Sequence, residues 1–123
     1  MTEQKAAKLD RWFEERIAAC GRRNQALLAD ERTDEAVFEK VRANVYDIFR
    51  TILSVAVKAC GGEEEAVRRF FVQRAEKIPA DWAASYEKAR RHDDPVRARI
   101  EQIKLDTAGE IREYFVRAWE EAE

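Results

Sequence analysis

Apolar residues recur along this chain at intervals of three and four through four successive stretches. Such spacing lines one face of a helix. The longest unbroken case lies within 33–60, where Phe38, Val41, Val45, Ile48, Ile52, Val55 and Ala59 hold the pattern. A second apolar row, Tyr46, Phe49, Leu53, Val57 and Cys60, runs beside the first. Only a narrow polar strip is left, with Lys40, Asp47, Thr51, Ser54 and Lys58. A helix apolar around so much of its girth belongs at the centre of a bundle or in an oligomer interface.

The other three stretches follow the same rule. Between 2 and 30 the stripe is Ala6, Leu9, Phe13, Ile17, Cys20 and Leu27, with Trp12 and Leu28 at its edges. Gly21 lies inside it, a cost of about 1 kcal/mol that need not stop a helix. The second stretch opens at Thr33, expected as N-cap, and stops at Gly61-Gly62, where a left-handed residue is easy. The third opens on Glu63, Glu64 and Glu65, acids that suit a positive helix end. Its face is Val67, Phe70, Phe71, Arg74, Ala75 and Ile78. Pro79 then removes a backbone donor and clashes with the preceding turn. A separate short helix is expected after it, capped by Asp81, with Trp82, Tyr86 and Ala89 on its face and its end near His92. The fourth stretch opens on Asp94-Pro95, a cap followed by a proline suited to the first helical position. Its face is Val96, Ile100, Ile103, Thr107, Ile111, Tyr114 and Ala118, with Phe115 and Trp119 beside it, and it is expected to reach residue 123.

Each stretch holds about 28 to 30 residues, roughly 42 to 45 Å of straight helix, and the connections are short. Short connections make neighbouring helices antiparallel. The expected fold is all-α, one domain spanning residues 1–123. It is an antiparallel up-down four-helix bundle whose third leg is split at Pro79, giving five helices in all. An irregular five-helix array competes with it. Composition agrees. Ala, Glu, Lys, Leu and Arg supply 65 of the 123 residues, while four Gly and two Pro leave little material for the turns of a sandwich or barrel.

Charge excludes more than it suggests. Lys plus Arg is 23 and Asp plus Glu is 25, a formal net charge of −2. A duplex-binding domain carries a basic excess, absent here. Acids stand three and four residues from arginines, the pattern of a solvated, salt-bridged surface. The first eight residues are polar and lack a signal-type apolar segment, and no apolar run approaches the length of a membrane span. A cytoplasmic location and no membrane are therefore expected. Cys20 and Cys60 have neither zinc nor redox-motif spacing, and helix geometry keeps them far apart, so two free thiols are expected.

Little catalytic chemistry is written in the sequence. Di-metal bundles use Glu-x-x-His pairs, and the single histidine, His92, follows Ala89 at that spacing. Acid pairs such as Glu110 with Glu113, or Glu31 with Asp34, read as solvated faces. His92 sits where a cation suits a helix C-terminus. Gly61-Gly62 lacks the phosphate-loop pattern. No catalytic, metal-ligating or cofactor-binding residue is assigned, and the balance leans against an enzyme.

Three functional readings follow. The first is a non-enzymatic protein-interaction module that self-associates as a homodimer or binds another protein, with Tyr46, Phe49 and Leu53 as contacts and Trp12 and Trp119 as aromatic anchors. The second is a small-ligand or phosphate-anion groove opened by the break at Pro79, with Arg74, Trp82 and Tyr86 beside it. Arg74 draws notice because it falls on an apolar row, where an unpaired charge is costly. The third is nucleic-acid binding on one face built from Arg22-Arg23, Arg68-Arg69, Arg90-Arg91, Arg97 and Arg99. Asn24, on the first stripe, is a candidate for fixing helix register.

Overall fold

The computed structural model describes residues 2–121, with the side chain of the last of these left aside. Four helices account for nearly all of it: α1 (Thr2–Ala29), α2 (Thr33–Ala59), α3 (Glu64–Arg91) and α4 (Pro95–Glu121). They form an up-down-up-down bundle. The expected end of the last helix at residue 123 lies outside the described residues.

The split third leg is not there. α3 runs through Pro79 without interruption, so the bundle has four helices, not five, among the described residues. An interior proline costs a helix about 3 kcal/mol. Packing on both sides of the proline offsets that cost. Val67, Phe71 and Ala75 are buried before it, Ala89 after it, and Ile78 and Trp82 pack against the core across it. Breaking the helix would turn one of these sets away from its partners. Asp81, expected to cap a new helix, lies inside α3 and pairs with Lys77 one turn earlier, 3.6 Å away.

The helix ends show how short connections are made. Glu63 caps α3, its carboxylate accepting from the backbone N–H of Glu65 and Ala66. Asp94 caps α4 as expected, accepting from the N–H of Arg97 at 3.1 Å. Thr33 is instead the first helical residue of α2. Arg32 holds the cap position without capping the helix, because a guanidinium has no acceptor for the free N–H groups; it donates to Glu35 instead. Helices α1, α2 and α3 each finish in a Schellman turn, with the pairs Arg32 N–H to Leu27 O, Gly62 N–H to Val57 O and Asp94 N–H to Ala89 O. The left-handed residue is glycine only in the second case. Glu31 (φ 59°) and Asp93 (φ 55°) take that conformation in the other two.

The core contains one fully buried phenylalanine from each helix: Phe13, Phe49, Phe71 and Phe115. Phe71 stacks on Phe115 with ring centroids 3.9 Å apart, and Phe49 leans on Phe71 at 5.9 Å. Trp12 lies flat on Tyr114, centroids 4.1 Å apart. The helices are not equivalent. α2 packs broadly on α1, and it touches α4 more than it touches α3, while α1 and α4 barely meet. The cross-section is thus a rhombus with α2 and α4 on its short diagonal. Polar ties set the α1–α2 register. Arg50 donates to both oxygens of Asp10 and to Glu14, and the Asn24 amide donates to Ala36 O at 2.7 Å. Both cysteines are free, Cys20 buried and Cys60 half-buried. No described helix is long and apolar enough to cross a membrane.

Candidate functional site

Two surfaces stand out, and α2 contributes to both. The first is a cleft of 630 Å³ near the N-terminal end of α2, walled by α1, α2 and α4. The up-down topology makes it. The second half of α1, the first half of α2 and the first half of α4 all lie toward one end of the bundle, where α1 and α4 diverge. Arg16 and Arg23 enter from α1, Arg42 from α2 and Arg99 from α4. Glu39 is almost completely buried there, only 4% exposed. One of its oxygens accepts from Arg23 Nε at 2.7 Å and the other from Arg42 Nη1 at 2.6 Å. A buried carboxylate needs such partners, and here two guanidinium groups share it.

The remaining charges of the cleft are held differently. Arg16 lies over the Trp12 ring and Arg99 over Phe38, 5.4 and 5.8 Å from the ring centroids. Glu110 receives the Tyr46 hydroxyl at 3.2 Å on each oxygen. Burial, then the Glu110 charge and this hydrogen bond, push the Tyr46 phenol well above its ordinary pKa. Cys20, just below, is also raised, chiefly by burial and next by the Glu39 charge. Glu39 was not anticipated from the sequence. It lies seven residues before Tyr46, on the line of the inner row of α2, where α1 closes over it.

The second surface is a row on the side of α2 turned away from α1. Val37, Ile48 and Val55 are 47%, 40% and 48% exposed. Val41 and Ile52 are half-buried between them. Tyr46, Phe49 and Leu53, expected as contacts, face inward and are buried within the chain, while Ile48, Val55 and Ala59 of the longer row are exposed and its Val45 is buried. Trp12 and Trp119 are buried as well, Trp119 stacked on Phe115 at 5.3 Å.

The break that was expected to open a groove at Pro79 is absent, since α3 is continuous there. Arg74 is exposed, its guanidinium over the Phe70 ring at 5.0 Å. Trp82 is half-buried between Phe49 and the Lys104 ammonium, and Tyr86 is half-buried further along. The arginine pairs do not share one face either. Arg68 and Arg69 lie at the opposite end of the bundle from the rest. Arg23, Arg68, Arg90 and Arg97 are already paired with glutamates. A second unexpected buried acid, Glu101 on α4, has Arg97 and Lys104 of the same helix as its ion-pair partners. Among the described residues no group of three His, Cys, Asp or Glu is placed to hold a metal.

Comparison with known proteins finds no family model, no curated protein and no solved structure that matches the chain.

Proposed function

We propose that the protein is a non-enzymatic interaction module that self-associates through the outer row of α2. The observation that carries this reading is the exposure of Val37, Ile48 and Val55 in one line on a helix whose other side is fully packed. Scattered apolar residues need no explanation, but apolar residues aligned along one helix face, with Asn44 and Thr51 between them, mark a surface that binds.

The sequence of the row favours a second copy as occupant. Val41, Ile48 and Val55 are spaced by seven, and Val37, Asn44 and Thr51 precede each by four. That is the spacing of a helix–helix seam. Asp34 and Lys58 extend the seam at its two ends, and neither is ion-paired within the chain among the described residues. An antiparallel pairing of two α2 helices sets Val37 against Val55, Val41 against Thr51 and Asn44 against Ile48. It also sets Asp34 against Lys58 twice. Parallel pairing would set like charges together. The seam spans about 36 Å of helix, and a single dyad generates it, the commonest symmetry of homo-oligomers.

Sedimentation equilibrium tests the reading. The wild-type chain is expected to dimerise and Ile48→Asp to sediment as a monomer with unchanged helicity. Asp34→Lys is expected to weaken the dimer, and adding Lys58→Asp to restore it. Asp47 faces its own copy beside the dyad in this register, so Asp47→Asn tightens the pair. A wild-type chain that remains monomeric at high micromolar concentration would sink the reading.

A further inference from the structure

The cleft between α1, α2 and α4 has an imbalance that the bundle does not use. Its walls carry four arginines against three glutamates, in a chain of net negative charge. The acids are engaged. Glu39 is shared by Arg23 and Arg42, Glu110 takes the Tyr46 hydroxyl, and Glu35 is reached by Arg32 from outside the cleft. Arg16 and Arg99 have no carboxylate within 4.0 Å among the described residues. Each is held by an aromatic face instead.

That mode of holding leaves chemistry free. A guanidinium lying over a ring is fixed through its π-face, and its N–H donors lie in its plane, available to another group. Arg42 spends only Nη1 on Glu39, and so keeps most of its five donors. Glu39 fixes Arg23 and Arg42 from beneath, at almost full burial, so these two groups need little ordering when a ligand arrives. The cleft volume of 630 Å³ falls within the range of small-molecule sites. Its concavity between three helices suits a small molecule better than a polymer.

We infer that this cleft is a binding site for a small phosphate monoester, with the phosphate held by Arg16, Arg42 and Arg99 and the Glu39 clamp setting the floor. A tetrahedral dianion presents oxygens in several directions and so matches guanidinium groups arriving from three helices, where a single carboxylate matches one fork. Glu110 and Tyr46, on the wall, are placed to meet a hydroxyl of the organic part. This site is independent of the outer α2 row, since it uses the inward side of the same helix.

The test titrates inorganic phosphate against the full chain at constant ionic strength, with chloride as the reference anion, by amide chemical shifts. Saturable binding is expected, with shifts confined to the cleft. Arg16→Met and Arg99→Met, both at exposed positions, are each expected to weaken it about tenfold, the loss of one charge-assisted contact. Arg74→Met, over Phe70 on the surface of α3, is expected to leave it unchanged. Glu110→Gln removes a negative charge from the wall and is expected to tighten binding, a reading that survives if an arginine variant folds poorly. Phosphate that fails to saturate, or that binds both arginine variants as well as the wild type, would overturn the inference.

Discussion

Two residues accept a backbone conformation that their side chains resist. Glu31 and Asp93 are left-handed at helix ends where Gly61 does the same work without a Cβ. The cost to an ordinary L-residue is about 1–2 kcal/mol, and Asp suffers less than Glu because its short side chain tolerates the region. Glu31 is exposed and is not an ion-pair partner among the described residues. Glu31→Gly is therefore expected to raise the unfolding free energy by about 1 kcal/mol, measured by urea denaturation. Tyr46 makes a different point. Its phenol is raised above 10.0 by burial and by Glu110. Above about pH 10 the unfolded chain ionises this group while the folded chain keeps its proton. The folded state then binds more protons, so stability falls as pH rises. Tyr46→Phe costs about 1 kcal/mol at neutral pH through the lost hydrogen bond. It is also expected to lose less stability than the wild type between pH 8 and about 11. An identical loss in both proteins would show that Tyr46 does not carry the effect.

At the scale of the helix, α3 shows tertiary packing overriding a local breaker. The missing donor and the steric clash at Pro79 are real costs, yet the apolar pattern on either side keeps one continuous face and the helix does not break. Pro79→Ala restores the donor and relieves the clash, worth about 3 kcal/mol. It also loosens the unfolded chain, which returns up to about 1 kcal/mol, and it removes ring carbons from a half-buried site. A net gain of about 1–2 kcal/mol is expected from thermal or urea unfolding. α2 shows the converse. Both of its rows have a legible helical period, yet periodicity does not say which row faces inward. The bulkier row, Tyr46, Phe49 and Leu53, fills the rhombus, and of the longer row Val45 joins it while Ile48 and Val55 remain outside.

For the whole molecule, one phenylalanine from each helix ties the four elements together, so damage to one is felt by all. Phe71 touches both Phe49 and Phe115. Phe71→Ala is expected to cost about 3–5 kcal/mol, a large share of the 5–15 kcal/mol typical of a domain. The check is whether α1 melts together with α3 by amide exchange. Early loss of α3 alone would mean the four helices are not one cooperative unit.

Some of this was decided by the sequence itself. Spacing by three and four, the Asp94-Pro95 start and the Gly61-Gly62 stop are local signals, enough to set the helical stretches and their short turns but not the continuity of the third through Pro79. The separation of the two thiols follows from the same arithmetic. What only the tertiary structure decided depends on neighbours distant in the chain. Glu39 is buried because α1 brings Arg23 to it from 16 residues away. The cleft sets Arg99 of α4 over Phe38 of α2, a pairing that no spacing along one helix can express. The choice between two apolar rows and the survival of α3 through Pro79 are of the same kind. Each compares a local cost with burial against other helices, and the sequence of one segment states only the first of these.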